Sequence, residues 1–255
     1  MKALRKLLKW IFILFLLPAL ASIGWWAGVE RPGSWRTADW SSAKILPSPS
    51  NDKEAVIHIM SARTGGLKGA LSQHSWIVTK SKNASQYNRY DKVGWGSPVR
   101  LNAYVADARW YSNTPRFIRT IKGEAAENLI PKIEQAILTY PHAQYGGYKL
   151  WPGPNSNSFI AYVLREVPEL GVVLPANAVG RNYLAGDQWF YAAKDGRDFE
   201  LSLGGYVGIA AGYRSGLELN FLGLVTGIDI ANPALKLPGF GRIDFARANA
   251  SQKHP

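Results

Sequence analysis

Cysteine is absent from the 255 residues. Its absence excludes a disulfide framework, a thiolate zinc site and a cysteine nucleophile. A chain exported into an oxidising space is also spared mispairing. Histidine is scarce, and His58, His142 and His254 are scattered with no two at metal-ligand spacing, so no metal site is expected. Acidic residues are in deficit, with 18 Asp and Glu against 30 Lys and Arg, a net charge of +12 and a pI near 9.8. That balance favours anionic partners. Without a basic helix or an RNA-binding motif, nucleic acid is not among those expected. Anionic lipid headgroups and cell-wall polymers remain, beside the plainer reading of a solvated basic surface with no specific partner. Cofactor motifs are also missing. The glycines near 204 are not followed by Gly-Lys-Ser/Thr, so they make no phosphate loop. Ser41-Ser-Ala-Lys44 matches a Ser-x-x-Lys pattern but lacks its companion motifs. No cofactor is expected.

Hydrophobic residues make up 47% of the chain and charged residues 19%, the balance of a folded protein. The length suits one domain, or one domain with an appendage, and is enough to bury a sizeable core. The N-terminus stands apart. Lys2, Arg5, Lys6 and Lys9 precede an uncharged apolar run from Trp10 to Gly28 that ends on Trp25 and Trp26. Such a run is about the length that crosses a bilayer core, and its basic flank predicts that the rest of the chain lies outside the cytoplasm. Ala19-Leu20-Ala21 also reads as a cleavage site. Residues 1–28 are therefore expected to be a membrane anchor or signal peptide. The first reading is a single-pass protein of the bacterial inner membrane with its domain in the periplasm; the alternative is secretion after cleavage near Ala21.

Residues 29–53, with Pro32, Gly33, Pro47, Ser48 and Pro49, read as a tether. Strands are expected at Glu54 to Met60, His74 to Thr79 and Tyr87 to Val93. Ala126, Ile130, Ile133, Ile137 and Tyr140 predict a helix over 124–140 that Pro131 bends or delays. A second helix is expected from Ser156 to Val167, stopped by Pro168. After residue 180 the period changes to two, as in Phe199-Glu-Leu-Ser-Leu203 and Leu217-Glu-Leu-Asn-Phe221, and predicts a β-rich C-terminal extension over 180–255.

Pro152-Gly-Pro-Asn-Ser-Asn-Ser-Phe159 delivers Ser156 to a helix start, where free N–H groups and the helix dipole favour an anion and can bind an oxyanion. His74 opens a strand about 80 residues earlier. The order of these pieces, with Tyr148-Lys-Leu150 between them, resembles the circularly permuted papain-like proteins, such as the PPPDE peptidases and the lecithin:retinol acyltransferase-like enzymes. More closely, Trp151 to Phe159 together with Val167-Pro-Glu-Leu170 is similar to a bacterial family named domain of unknown function 3750. That closer resemblance covers most of residues 30–245, and the papain-like one about 54–175.

The papain-like resemblance implies an α+β fold, with residues 54–179 forming a small antiparallel sheet packed by two helices. It also implies a catalytic set of Ser156, His74 and Asp91, with Asn155 and Asn157 shaping an oxyanion site and Trp76, Trp151 and Tyr148 meeting substrate. The chain departs from the pattern in having Ser156 where those enzymes carry cysteine. A serine hydroxyl does not ionise as a thiol does, so it needs His74 as a true general base. Two readings of Ser156 stand, a nucleophile and an N-cap, and His74 is equally readable as a plain strand-end residue. The expected function is a membrane-anchored, non-catalytic binding module for envelope peptide, glycan or lipid. The alternative is a Ser-His hydrolase or acyltransferase of amide or ester bonds in the envelope.

Overall fold

A computed structural model describes residues 1–95 and 99–245; His254 and Gly96 lie outside the described residues. The N-terminal run is one helix, α1 (Lys2–Ala27), long and apolar enough to cross a membrane. It fits an anchor or a signal sequence equally. A π turn over Phe12–Leu16 immediately precedes Pro18, whose missing N–H and bulky ring disturb the normal helical register. Phe15, Ala19, Ser22 and Trp26 recur at steps of three and four and are buried against the rest of the molecule. The Ser22 hydroxyl donates to the Ala70 carbonyl (2.6 Å) and the Trp26 indole to that of Gly66 (2.9 Å).

Residues 29–53 contain little regular structure. They are nonetheless packed rather than free, with Trp40, Ile45 and Leu46 lying on a buried aromatic cluster and Ser42 bridged to Ala108. The first sheet has the order β4-β3-β2-β1-β5, built from β1 (Val56–Arg63), β2 (Gln73–Lys80), β3 (Asn88–Lys92), β4 (Val99–Leu101) and β5 (Arg116–Lys122). All pairings are antiparallel, and the β1–β2 register runs without a break from Val56↔Lys80 to Arg63↔Gln73. Because side chains alternate across a strand, one face carries Ile57, Ile59 and Ile77. Helices α2 (Gly123–Leu138) and α3 (Ser156–Glu166) cover it through Ile130, Ile133, Phe159, Ile160 and Val163. Helix α2 runs on through Pro131, which lies on an exposed position. The other face carries Met60, Trp76 and Val78 under Trp110 and Trp40. Apolar layers on both sides explain why β1 and β2 are buried along nearly their whole length.

The C-terminal extension is a second sheet, a seven-stranded antiparallel meander in chain order from β6 (Phe190–Ala192) through β7 (Asp198–Leu203), β8 (Val207–Gly212), β9 (Gly216–Phe221), β10 (Leu224–Asp229) and β11 (Ala234–Leu237) to β12 (Gly241–Asp244). The architecture is α+β, with an apolar N-terminal helix, two antiparallel sheets and few helices.

Candidate functional site

The start of α3 is tightly built. The turn before it holds two cis prolyl bonds, Trp151–Pro152 and Gly153–Pro154. Asn155 is the N-cap: its side-chain oxygen accepts from the N–H groups of Asn157 (2.9 Å) and Ser158 (3.0 Å), while Ser158 Oγ accepts from the Asn155 N–H (2.6 Å), closing a capping box. The Asn155 amide also donates to the Leu150 and Val179 carbonyls. Residues 179–180 press so closely on it that a Cβ at Gly180, whose φ is +98°, would lie 2.1 Å from the Asn155 amide. Ser156 is the first helical residue, and none of these capping bonds uses its hydroxyl. The cap reading of Ser156 thus passes to its neighbour Asn155.

Asn157 and Ser158 spend their N–H groups on the cap, so two of the donors expected for an oxyanion site are occupied, and the Ser156 N–H is not among those the cap uses. The Asn157 amide is equally committed, donating to the carbonyls of Gln73 (2.8 Å) and Val179 (2.9 Å), and its buried oxygen has no partner among the described residues. Gln73 in turn bonds Ser61 and Asn177. Helix α3 therefore docks on Gln73, the first residue of β2, through a buried amide network.

His74 is next in the chain, but it points the other way. Its Nε2–H donates to Asp91 Oδ2 at 3.3 Å, and the ring stacks on Trp110 with centroids 3.7 Å apart and planes 7° from parallel. Asp91 also accepts from Arg89 (3.1 Å), whose guanidinium lies 4.1 Å from the Trp76 ring centroid. His74, Trp76, Arg89 and Asp91 share the face turned towards Trp110. Ser156 lies one turn before Phe159 and Ile160 on the stripe of α3 that faces the opposite side, where Ser75 and Ile77 project. The structure brings His74 and Asp91 together and places the sheet between them and the α3 packing layer. Burial lowers the His74 pKa against the opposing pull of Asp91, so the imidazole is neutral at pH 7. Its bonds to Arg89 and His74 hold the Asp91 carboxyl low despite its burial.

The expected substrate contacts are dispersed. Trp76 is fully buried and donates to the Ala106 carbonyl. Trp151 is half-exposed but belongs to the second sheet: its indole donates to the Leu222 carbonyl (3.0 Å) and its ring meets Tyr206 edge-on at 5.0 Å. Tyr148 backs onto Gly94 near Lys92, and burial raises its pKa to about 12.

The sequence reading missed Arg89, Trp110 and Lys92. Arg89 was findable, because a residue two before Asp91 shares its face in a strand. Trp110 arrives on a loop with no periodic signal. Lys92, which alternates with Asp91, is a titratable group on the helix side of the sheet. Its ammonium donates to the His142 carbonyl (2.7 Å) and burial lowers its pKa to about 8. Among the described residues, no group of three or more His, Asp or Glu side chains gathers in metal-binding geometry.

A separate open groove of about 1020 Å³ runs between the end of α2, the end of α3 and the turns of the second sheet. Its walls include ion pairs Lys132–Glu169 and Arg214–Asp195, with Tyr213 exposed beside Arg197.

The family described as "Protein of unknown function (DUF3750)" matches residues 54–183, just over half of the chain. No curated protein and no solved structure matches the chain.

Proposed function

The chain belongs to the DUF3750 family, and within that family we propose that it is a non-catalytic binding module held at the membrane by α1, with its domain on the periplasmic side. The observation that carries this reading is the orientation of His74. A general base must reach the hydroxyl it deprotonates, and His74 is stacked on Trp110, bonded to Asp91 and turned from the face on which α3 packs. The capped helix start argues the same way, since two of its N–H donors, those of Asn157 and Ser158, are spent on the Asn155 side chain. The Ser-His hydrolase reading rests on His74 as its base, and the orientation of that ring argues against it.

The open groove is the better place for a ligand. Charged pairs along its walls and the exposed Tyr213 ring suit an extended polar chain, an envelope peptide or glycan. The test uses full-length protein in detergent micelles, with purified peptidoglycan sacculi as the probe in a co-sedimentation assay. Combining Tyr213→Ala with Arg197→Glu is expected to lower binding at least about tenfold, the size of losing one good contact of roughly 1.4 kcal/mol. Ser156→Ala and His74→Gln are expected to leave it unchanged. Ester or amide hydrolysis abolished by both Ser156→Ala and His74→Gln would replace this reading with the enzyme.

A further inference from the structure

The second sheet has inverted polarity. On its inner face, towards α3 and the segment that follows it, lie Asp198, Glu200, Ser202, Glu218, Asn220, Asp229 and Lys236, all buried. Glu218 bonds both Arg181 and Lys236, Glu200 bonds Arg165 (2.7 Å) and Asn182 (2.8 Å), and Asp198 accepts from Ser215. The outer face is apolar from strand to strand. Phe199, Leu201 and Leu203 of β7 stand beside Val207 and Ile209 of β8, Leu217 and Leu219 of β9, Ile228 of β10 and Ile243 of β12. Each of these is more than 40% exposed, and the ladder puts no charged residue among them. Scattered exposed leucines are ordinary, but a continuous apolar face of this extent marks a surface that is covered in use.

The membrane helix identifies what covers it. Phe15, midway along α1, packs on Phe221 of β9 with ring centroids 5.7 Å apart, and Trp25, near the end of α1, meets Phe240 in the β11–β12 turn at 6.5 Å. These two contacts are ten residues apart on the helix, roughly 15 Å at 1.5 Å per residue. That is about half of a hydrocarbon core of ~30 Å, or one leaflet. A sheet touching α1 at both levels shares the depth of that leaflet.

We propose that the outer face of the second sheet is itself a membrane surface, seated in the acyl-chain region of the same leaflet that α1 enters. The sheet lies in the bilayer without crossing it. Its strands are at most six residues long, whereas a spanning strand needs about 9–11. The edges at β6 and β12 are open, and open edges are not tolerated within hydrocarbon, so the outward side chains enter the acyl region while the edge backbones stay at its polar boundary. The buried ion pairs behind the sheet remain on the protein side. This differs from a basic surface meeting headgroups, because the attraction is apolar and insensitive to salt.

The absence of cysteine permits a direct test. Full-length protein carrying one introduced cysteine is spin-labelled and reconstituted into vesicles of phosphatidylethanolamine and phosphatidylglycerol. Collisions with oxygen, which concentrates in lipid, are compared with collisions with a water-soluble nickel chelate. Labels at Leu201→Cys, Ile209→Cys and Leu219→Cys are expected to favour oxygen, as does the helix control Leu20→Cys, while Arg197→Cys in the β6–β7 turn favours nickel. Three neighbouring strands are sampled so that one misfolded variant does not decide the result. Nickel-accessible sheet labels beside an oxygen-accessible Leu20 label would overturn the proposal while leaving the anchor intact. Sheet labels shielded from both reagents, with dipolar broadening between chains, would overturn it in favour of a second copy on the same face. The groove variants do not touch this face, so failure of sacculus binding and failure of lipid contact are separate outcomes.

Discussion

The two sheets use the same two-residue alternation and opposite polarities. In the first, Ile57, Ile59 and Ile77 face helices while Met60, Trp76 and Val78 face an aromatic layer, so both sides are dry. In the second, the carboxylates of Glu200 and Glu218 face inward to arginine and lysine, and the leucines face out. The comparison teaches that alternation marks two faces without saying which is the core. The neighbours available to each face settle that. The first sheet is flanked by two amphipathic helices. The second leans on Arg165 of α3 and on Arg181 and Asn182 of the segment between α3 and β6, and these select its polar side.

The sharpest way to break the contrast is at its buried charges. Glu218→Ala strands Arg181 and Lys236 in the interior, and a loss of about 3–5 kcal/mol in urea unfolding is expected. A loss under about 1 kcal/mol would mean the inner face is wet. Next comes a matched pair of truncations. Ile77→Ala empties space against α3 and is expected to cost about 2–5 kcal/mol. Leu219→Ala, which removes an outward side chain, should cost less than about 1 kcal/mol in micelles. Equal losses would show that the second sheet is covered by protein.

Acid should also separate the two regions. Burial lowers the pKa of His58 to about 4 and that of His74 in the same direction, from an ordinary 6.5. The folded state disfavours their charged forms, so stability is complete above about pH 6.5 and falls as the pH drops towards 4. His58 alone contributes on the order of 2 kcal/mol over that window. In the second sheet the Asp229 carboxyl is held low by its bonds to Asn232 and Arg242, and Arg214 holds Asp195 at about 2. Stability from those pairs persists to lower pH. Hydrogen exchange at pH 5 is expected to loosen β1 and β2 before β9 and β10, and the reverse order would refute the assignment. The smallest effects lie at the helix start. Asn155→Ala removes the cap and is expected to cost about 1–2 kcal/mol, while Ser156→Ala stays within about 0.5 kcal/mol by thermal melting. A larger loss at Ser156 would return the capping role to that residue.

Periodicity and punctuation made much of this legible. The apolar run after four basic residues is α1, and the expected strands at 54–60, 74–79 and 87–93 correspond to β1, β2 and β3 with ends shifted by a few residues. Both helices lie where their three- and four-residue spacing predicts. Strands β4 and β5 escaped notice. β4 has three residues, and β5 carries Arg116, Arg119 and Lys122 on a mostly exposed edge, so neither has a buried alternation to read. The packed state of residues 36–47 escaped as well, because the turn residues that suggested a tether conceal isolated anchors without a period, chiefly Trp40 against Trp110 and Tyr104 and, beside it, Ile45 and Leu46.

By itself the sequence determined element type: where a run is apolar, where it alternates by two or by three and four, and where proline or an Asn-Ser cluster stops or starts a helix. Those are local properties, set by backbone sterics and by side chains a few residues apart. Only the tertiary structure decided which way each face turned. His74 and Ser75 are neighbours in the chain, and a strand sends them to opposite sides, so one residue of register separates a histidine facing Ser156 from one facing Trp110. The outward leucines of the second sheet follow the same rule. Their two-residue period is written in the sequence, but their side is set by charged partners, Arg165 and Arg181, that the fold brings from elsewhere in the chain.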